Sequence, residues 1–285
     1  MYSIGFVILT WNSEKHIAKC LESLFQLDSS EFAVTITVID NGSSDNTLKE
    51  IERALQTIEN RISCHVIELK KNHGTTYSRN LGIDYLRKQK TKPSYICILD
   101  SDTIVNQFAI RNLAYTLEKD NTCGIIGPKM HDSNMVYQRS GRQIPTLTEK
   151  LLKIMPIKKL QARGVSKEAI ISSQGTGTIK VGYLMSACWM MRTELFEQIG
   201  LLDENIFYAP EDAEFCIRSW KYGLSVQYCY DADIIHEWQR LSRKKLLSKH
   251  NYEHIKGLIY MFWKHKYMFS TKKIMTIEHT SEGEK

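Results

Sequence analysis

Asp100 and Asp102 stand two residues apart at the end of Tyr95-Ile-Cys-Ile-Leu99, an unbroken apolar run. Alternate side chains of an extended chain point the same way, and that alignment loosens where the strand ends. Two carboxylates can therefore converge at the mouth of a sheet, where their repulsion calls for a cation between them. A hard divalent ion suits such oxygen ligands, and its open positions would accept phosphate oxygens. The plainer reading of Asp100-Ser-Asp-Thr103 is a solvated turn. A second acidic pair, Glu211-Asp212, follows Pro210 and opens a helical pattern. Backbone N–H groups and the helix dipole favour anions there, so this pair could equally steady the helix start.

The elements that must position these groups alternate. Ile4 to Thr10 reads as a strand, and Ile17, Leu21 and Leu24 recur at helical spacing within Glu14 to Phe25. Val34 to Ile39 is a second strand, running into the capping turn Asp40-Asn-Gly-Ser-Ser-Asp45. Leu48 to Ile58 (helix), Cys64 to Leu69 (strand) and Thr76 to Arg87 (helix) precede the strand that ends at Asp100. Such alternation predicts a mostly parallel central sheet covered on both faces, an α/β fold. Ligands of such sheets bind at the carboxyl ends of the strands. Thr10 to Asn12, Asp40 to Asp45 and Asp100 to Asp102 all fall at such ends.

Arg139 to Thr178 is basic and broken by Pro145 and Pro156, which reads as a mobile insertion over a site or as a surface excursion. Order resumes with Val181 to Met191, a short helix at Thr193 to Ile199, a helix at Glu211 to Tyr222 and a strand at Leu224 to Tyr228. The tail from Asn251 to Phe269 carries Ile255, Leu258, Ile259, Phe262 and Trp263 at helical spacing. It reads as a docking helix, or as a basic helix lying on an anionic bilayer.

With 285 residues the chain can form one large domain or a domain with an appendage. A net charge of +6 does not argue for nucleic acid. The basic residues cluster instead, at Lys150 to Lys167 and from Arg240 to Lys249, as a solvated face or a surface for an anionic partner. Seven scattered cysteines without a CxxC pair support neither a zinc knuckle nor a disulfide framework. The N-terminus lacks the pattern of a signal peptide, and no apolar run has membrane-spanning length, so a cytoplasmic protein is expected.

Five motifs now stand in order: Thr10-Trp-Asn12, Asp40 to Asp45, Asn72-His-Gly74 with Ser78-Arg-Asn-Leu-Gly82, Asp100-Ser-Asp102, and Pro210-Glu-Asp-Ala-Glu214. Together they resemble family 2 glycosyltransferases of the GT-A fold, most closely the bacterial rhamnosyltransferase-like branch that builds O-antigens and capsules. The resemblance runs from about residue 4 to about residue 240. It implies a GT-A catalytic domain over 1–240, with a nucleotide-binding half to about 105 and an acceptor-binding half over 106–240. A helical extension over 241–285 completes the chain.

By this resemblance Asp102 ligates Mg2+ or Mn2+, Asp100 reaches the metal or the ribose, and His236 completes the metal's protein ligands. Asp40 accepts from a pyrimidine imide N–H, Thr10 and Asn12 line the base pocket, and Gly74 lets backbone approach the ligand. Arg79 steadies the carboxylates. Asp212 is the base that takes the acceptor's proton, with Glu211 and Glu214 as supporting acids. The implied partners are a dTDP- or UDP-linked sugar and a glycan or lipid-linked oligosaccharide acceptor, with peripheral contact at the inner face of the plasma membrane and a homodimer as further expectations. One base opposite the leaving group implies inversion.

The chain departs from the family pattern at Glu237-Trp-Gln239, where a small glycine-rich stretch is usual, and at Trp11, where tyrosine is common. Trp189 and Trp238 could stack on a sugar, although buried tryptophans more often serve a core. Two other readings compete: a sugar nucleotidyltransferase, which would need a glycine-rich basic loop where Thr10-Trp-Asn-Ser-Glu14 stands, and a catalytically silent nucleotide-sugar-binding protein.

Overall fold

The computed structural model describes all residues except 58–61, 156, 160, 162–173, 238–248 and 276–285. Expectations resting on Arg163, Lys167, Trp238 and the stretch from Arg240 lie outside the described residues. The chain opens with β1 (Tyr2–Thr10), α1 (Ile17–Phe25), β2 (Phe32–Asp40), α2 (Thr47–Leu55), β3 (Ser63–Glu68), α3 (Thr75–Arg87) and β4 (Tyr95–Asp100). These are the alternating elements read from sequence, with ends shifted by a few residues. Strands β1 to β4 are parallel and ordered β3-β2-β1-β4, which sets Thr10 beside Asp40 and Leu9 beside Asp100.

The next segment carried no sequence assignment and supplies two further strands of the sheet with a helix between them: β5 (Thr103–Ile104), α4 (Gln107–Lys119) and β6 (Cys123–His131). Then come β7 (Tyr137–Gln138), β8 (Gly141–Arg142), α5 (Leu147–Ile154), β9 (Thr178–Lys180), β10 (Tyr183–Leu184) and β11 (Cys188–Arg192). The excursion over Arg139 to Thr178 thus contains a helix, α5, whose start is fixed by a reciprocal cap between Thr146 and Glu149. Next are α6 (Leu195–Ile199), α7 (Glu211–Lys221), β12 (Ser225–His236), α8 (Lys249–His265) and α9 (Lys272–Met275).

Strand β11 runs antiparallel between β4 and β6, and β12 pairs with β6 in parallel. The expected nucleotide and acceptor halves therefore share one continuous sheet. Its two faces bury separate clusters, as period-two alternation demands: Phe6 and Ile8 face α1 and α4, whereas Val7 faces the side of Ile83, Trp189 and Phe215. Burying a side chain such as Phe6 contributes about 1.5–3 kcal/mol.

Helix α8 docks onto α7. Gly257 meets the Ala209–Pro210 backbone so closely that an added Cβ would lie 2.4 Å from the Ala209 carbonyl oxygen. Beyond it, Lys264 Nζ and His265 Nε2 lie 2.7 and 3.1 Å from Glu214 Oε1, and Tyr260 donates to Asp203 at 2.9 Å. Burial pushes the Glu214 carboxyl up, but these partners and Arg218 outweigh it and hold it at about 2. Glu214, expected beside the base, is instead fully buried in this anchor, because it lies on the face of α7 turned toward α8.

Candidate active site

A cleft of about 320 Å³ opens where the carboxyl ends of β1 and β4 meet the start of α7. One corner gathers Asp100, Asp102 and His236. Each offers a ligand atom, and these atoms lie within 4.8 Å of one another. The two-residue strand β5 makes this possible: it pairs with the end of β12, setting His236 opposite Thr103. His236 Nε2 then lies 3.4 Å from Asp102 Oδ1.

Gln138 settles the histidine's tautomer. Its Nε2 donates to the His236 carbonyl at 2.7 Å, so its Oε1, 2.8 Å from His236 Nδ1, must accept that ring N–H. The lone pair of Nε2 is left to face the carboxylates. Burial opposes charge on this imidazole, but the hydrogen bond and charge of Asp102 outweigh it and raise its pKa. At Asp100, burial raises the pKa and Arg79 opposes the rise. Two hard oxygens and one imidazole nitrogen fit Mg2+ or Mn2+, with the Nε2 lone pair as the nitrogen donor.

Gln138→Leu removes both bonds to His236 and is expected to weaken Mn2+ binding about 10- to 100-fold with the fold intact. Calorimetric titration with Mn2+ checks this, and an unchanged affinity would deny Gln138 its orienting part. Nothing in the sequence marks Gln138, since its partner lies 98 residues away.

Arg79, 2% exposed, joins this corner to the opposite wall. Its Nη2 donates to Asp100 Oδ1 at 2.7 Å and its Nη1 to Glu211 Oε1 at 3.1 Å. Ser186 Oγ also donates to Glu211 Oε1, at 3.0 Å. Burial, and then the charge of Asp212, push the Glu211 carboxyl up to about 8. Asp212 is partly open to the cleft and accepts from the Ala213 N–H at 2.8 Å. Burial raises its pKa too, opposed by that N–H and by the charges of Arg142, Lys150 and Arg79. Both carboxyls are therefore held above their ordinary range, and at Glu211 the charge of Asp212 adds to the effect of burial.

Glu211 carries a pH signature. Folding raises its pKa from 4.5, so the native state holds a proton that the unfolded chain has lost, and stability declines as pH climbs toward 8. Glu211→Gln keeps an acceptor for Ser186 and Arg79 without the charge. It is expected to gain on the order of 1–3 kcal/mol relative to wild type at pH 9, and little at pH 5. Thermal denaturation at both pH values measures the difference, and equal shifts would contradict the burial account.

The sequence pattern of Glycosyl transferase family 2 matches residues 6–200. The chain belongs to glycosyl transferase family 2. Among curated relatives of this enzyme family, the dTDP-rhamnosyl transferase RfbF of Shigella flexneri is 28% identical over 235 residues, 82% of this chain and 69% of the relative. The low-salt glycan biosynthesis hexosyltransferase Agl10 of Haloferax volcanii is 24% identical over 285 residues, covering 98% and 80%. The solved structure of GalNAc-T7 with UDP, GalNAc and Mn2+ superposes with a TM-score of 0.68 at 16% identity, which establishes the GT-A fold. The match covers 92% of this family 2 chain and 49% of that one.

Within the family 2 chain, the other expected residues are placed less simply. Thr10, Asn12 and Asp40 do not line this cleft, although their neighbours Leu9, Trp11 and Asn41 do. Asp40 is buried and accepts from Ser43, and Asn12 accepts from the Ser44 N–H at 2.8 Å. Both side chains hold together the turns after β1 and β2. Gly74 lines the cleft, but its small size serves the protein: with φ +88°, an added Cβ would lie 2.2 Å from the Phe207 carbonyl oxygen. Trp189 is fully buried against Phe215 and takes no part. Ser186 and Tyr208 line the cleft without having been singled out. Only Tyr208, two residues before Pro210, had a signal in the adjacent motif.

Proposed function

We propose that this chain catalyses inverting, metal-dependent transfer of one sugar from a nucleotide-diphosphate donor to a hydroxyl of a growing cell-surface glycan or lipid-linked acceptor. The observation that carries the reading is the pairing of a three-ligand corner with Asp212 across one cleft, joined by Arg79 and Glu211. Asp100, Asp102 and His236 would hold Mg2+ or Mn2+, which when bound stabilises charge on a departing diphosphate.

The remaining chemistry belongs to the chain. Asp212, the member of the pair that opens to the cleft, takes the proton of the acceptor hydroxyl as its oxygen attacks the anomeric carbon. Glu211 stays neutral and, held by Ser186 and Arg79, keeps the start of α7 in place without competing for that proton. Trp11, half-exposed at the cleft edge, offers a face for the nucleobase, and Asp40 shapes that wall through Ser43. The nucleotide then lies over residues 1–105 and the acceptor over 106–240.

The name of the Shigella flexneri relative favours dTDP-rhamnose, with a UDP-hexose as the second donor. Work on O-antigen or capsule at the cytoplasmic face of the membrane fits that acceptor class. The test is a donor screen measuring nucleoside diphosphate release with each activated sugar and an acceptor pool, followed by NMR of the product's anomeric centre. Release with no donor, or a product of retained configuration, would refute the proposal.

A further inference from the structure

Among the described residues no helix is long and apolar enough to cross a membrane. Helix α8 nevertheless turns an apolar stripe outward. Tyr252, Ile255, Ile259 and Trp263 recur every three to four residues and are 67, 57, 65 and 75% exposed. Met268 and Phe269, just past the helix, are 48 and 67% exposed. Large apolar side chains aligned on one helix face are not the scattered exposure of an ordinary surface. The inner face of α8 is already used: Met261 and Phe262 enter the core and Gly257 meets Ala209 and Pro210.

Charge identifies the occupant. Lys256, Lys266 and Lys272 are exposed around the stripe. Between Lys249 and Met275 the sequence carries six Lys against one acid, Glu253. A second copy of the chain pairing through this stripe would set lysines against lysines, because a two-fold interface apposes the same patch to itself. An anionic bilayer matches both the apolar stripe and its cationic border.

We infer that α8 lies in the headgroup region of an anionic membrane, its Tyr252-to-Trp263 face inserted and its lysines on lipid phosphates. Because Gly257 on the opposite face touches the residues just before Glu211, the cleft wall carrying Asp212 then stands about one helix diameter from the lipid. In the proposed reaction that places a lipid-linked acceptor within reach of the base. The surface itself does not depend on that reaction.

The test is flotation of the full chain with vesicles of phosphatidylcholine, with and without phosphatidylglycerol. Wild type is expected to float with the anionic vesicles and to bind the neutral ones about tenfold more weakly. Ile259→Glu/Trp263→Glu lowers binding to both by about tenfold or more. Lys256→Glu/Lys266→Glu abolishes the anionic preference and its salt sensitivity. All three proteins should release nucleoside diphosphate equally with a water-soluble acceptor, so failure of the membrane inference and failure of the transferase reading are separable. Absence of wild-type flotation, or a stripe variant that floats as wild type does, overturns the inference. So does sedimentation showing that the stripe holds a dimer that ignores vesicles.

Discussion

Asp212→Asn is expected to lower the rate of sugar transfer by about 10²- to 10⁴-fold, the range of a positioned general base. Nucleotide and Mn2+ affinities should be unchanged. Asparagine retains an oxygen for the Ala213 N–H, which Asp212 accepts at 2.8 Å, so the start of α7 keeps its local bond. What disappears is a carboxylate able to take a proton. The loss should fall on kcat, with KM for the donor little moved, because the proposed reaction seats the donor on the opposite wall. Steady-state kinetics and calorimetry on the same preparation read both quantities. Equal turnover by the two proteins would remove Asp212 from the chemistry, leaving it as a helix-start residue. Glu211→Gln gives the contrast: Glu211 is 6% exposed and keeps its proton to about pH 8, so its replacement should not reproduce that loss.

Asp102→Ala should abolish tight divalent-ion binding, with an affinity loss of about 100-fold or more, and transfer should fall with it. The variant also relieves a conflict. Burial raises the Asp100 carboxyl and Arg79 opposes the rise, but the charge of Asp102 raises it further. Without Asp102 the metal-free protein loses repulsion on Asp100 and a partner of His236 together, so its Tm should move little, while Mn2+ no longer raises it. Scanning calorimetry with and without Mn2+ separates the two effects. A variant still stabilised by Mn2+ as wild type is would place the ion elsewhere. Stability lost together with metal binding would make Asp102 a structural residue.

The first half of the chain was legible because its strands alternate with helices of clear periodicity. β1, β2 and β4 read as apolar runs because the parallel sheet covers them on both sides, and the polar clusters at their ends had to lie at one edge. β6 escaped because Gly124, Gly127 and Pro128 break its pattern, although the glycines are demanded by close neighbours such as Ser219 and Leu184. The antiparallel insertion of β11 between β4 and β6 depends on pairings across long stretches of chain that no local pattern records.

The site divides in the same way. Asp100, Asp102, Asp212 and His236 belong to motifs or element ends and could be named. The side chains that orient them, Gln138 on His236 and Ser186 on Glu211, come from unremarkable stretches and acquire a purpose only when the sheet closes. Glu214 shows the converse. One residue past Ala213 in the same motif, it is rotated around the helix to the α8 anchor, because neighbours in sequence on a helix do not share a face.

The claim beneath all of this is that the Asp100–Asp102–His236 corner holds one divalent ion against the diphosphate of the donor. Pulsed EPR of Mn2+ bound to the full chain with a nucleoside diphosphate tests it directly. The account predicts a phosphorus coupling from the diphosphate together with one imidazole nitrogen coupling, the latter missing in His236→Gln. Mn2+ showing neither coupling, or an imidazole coupling that survives the substitution, would contradict it.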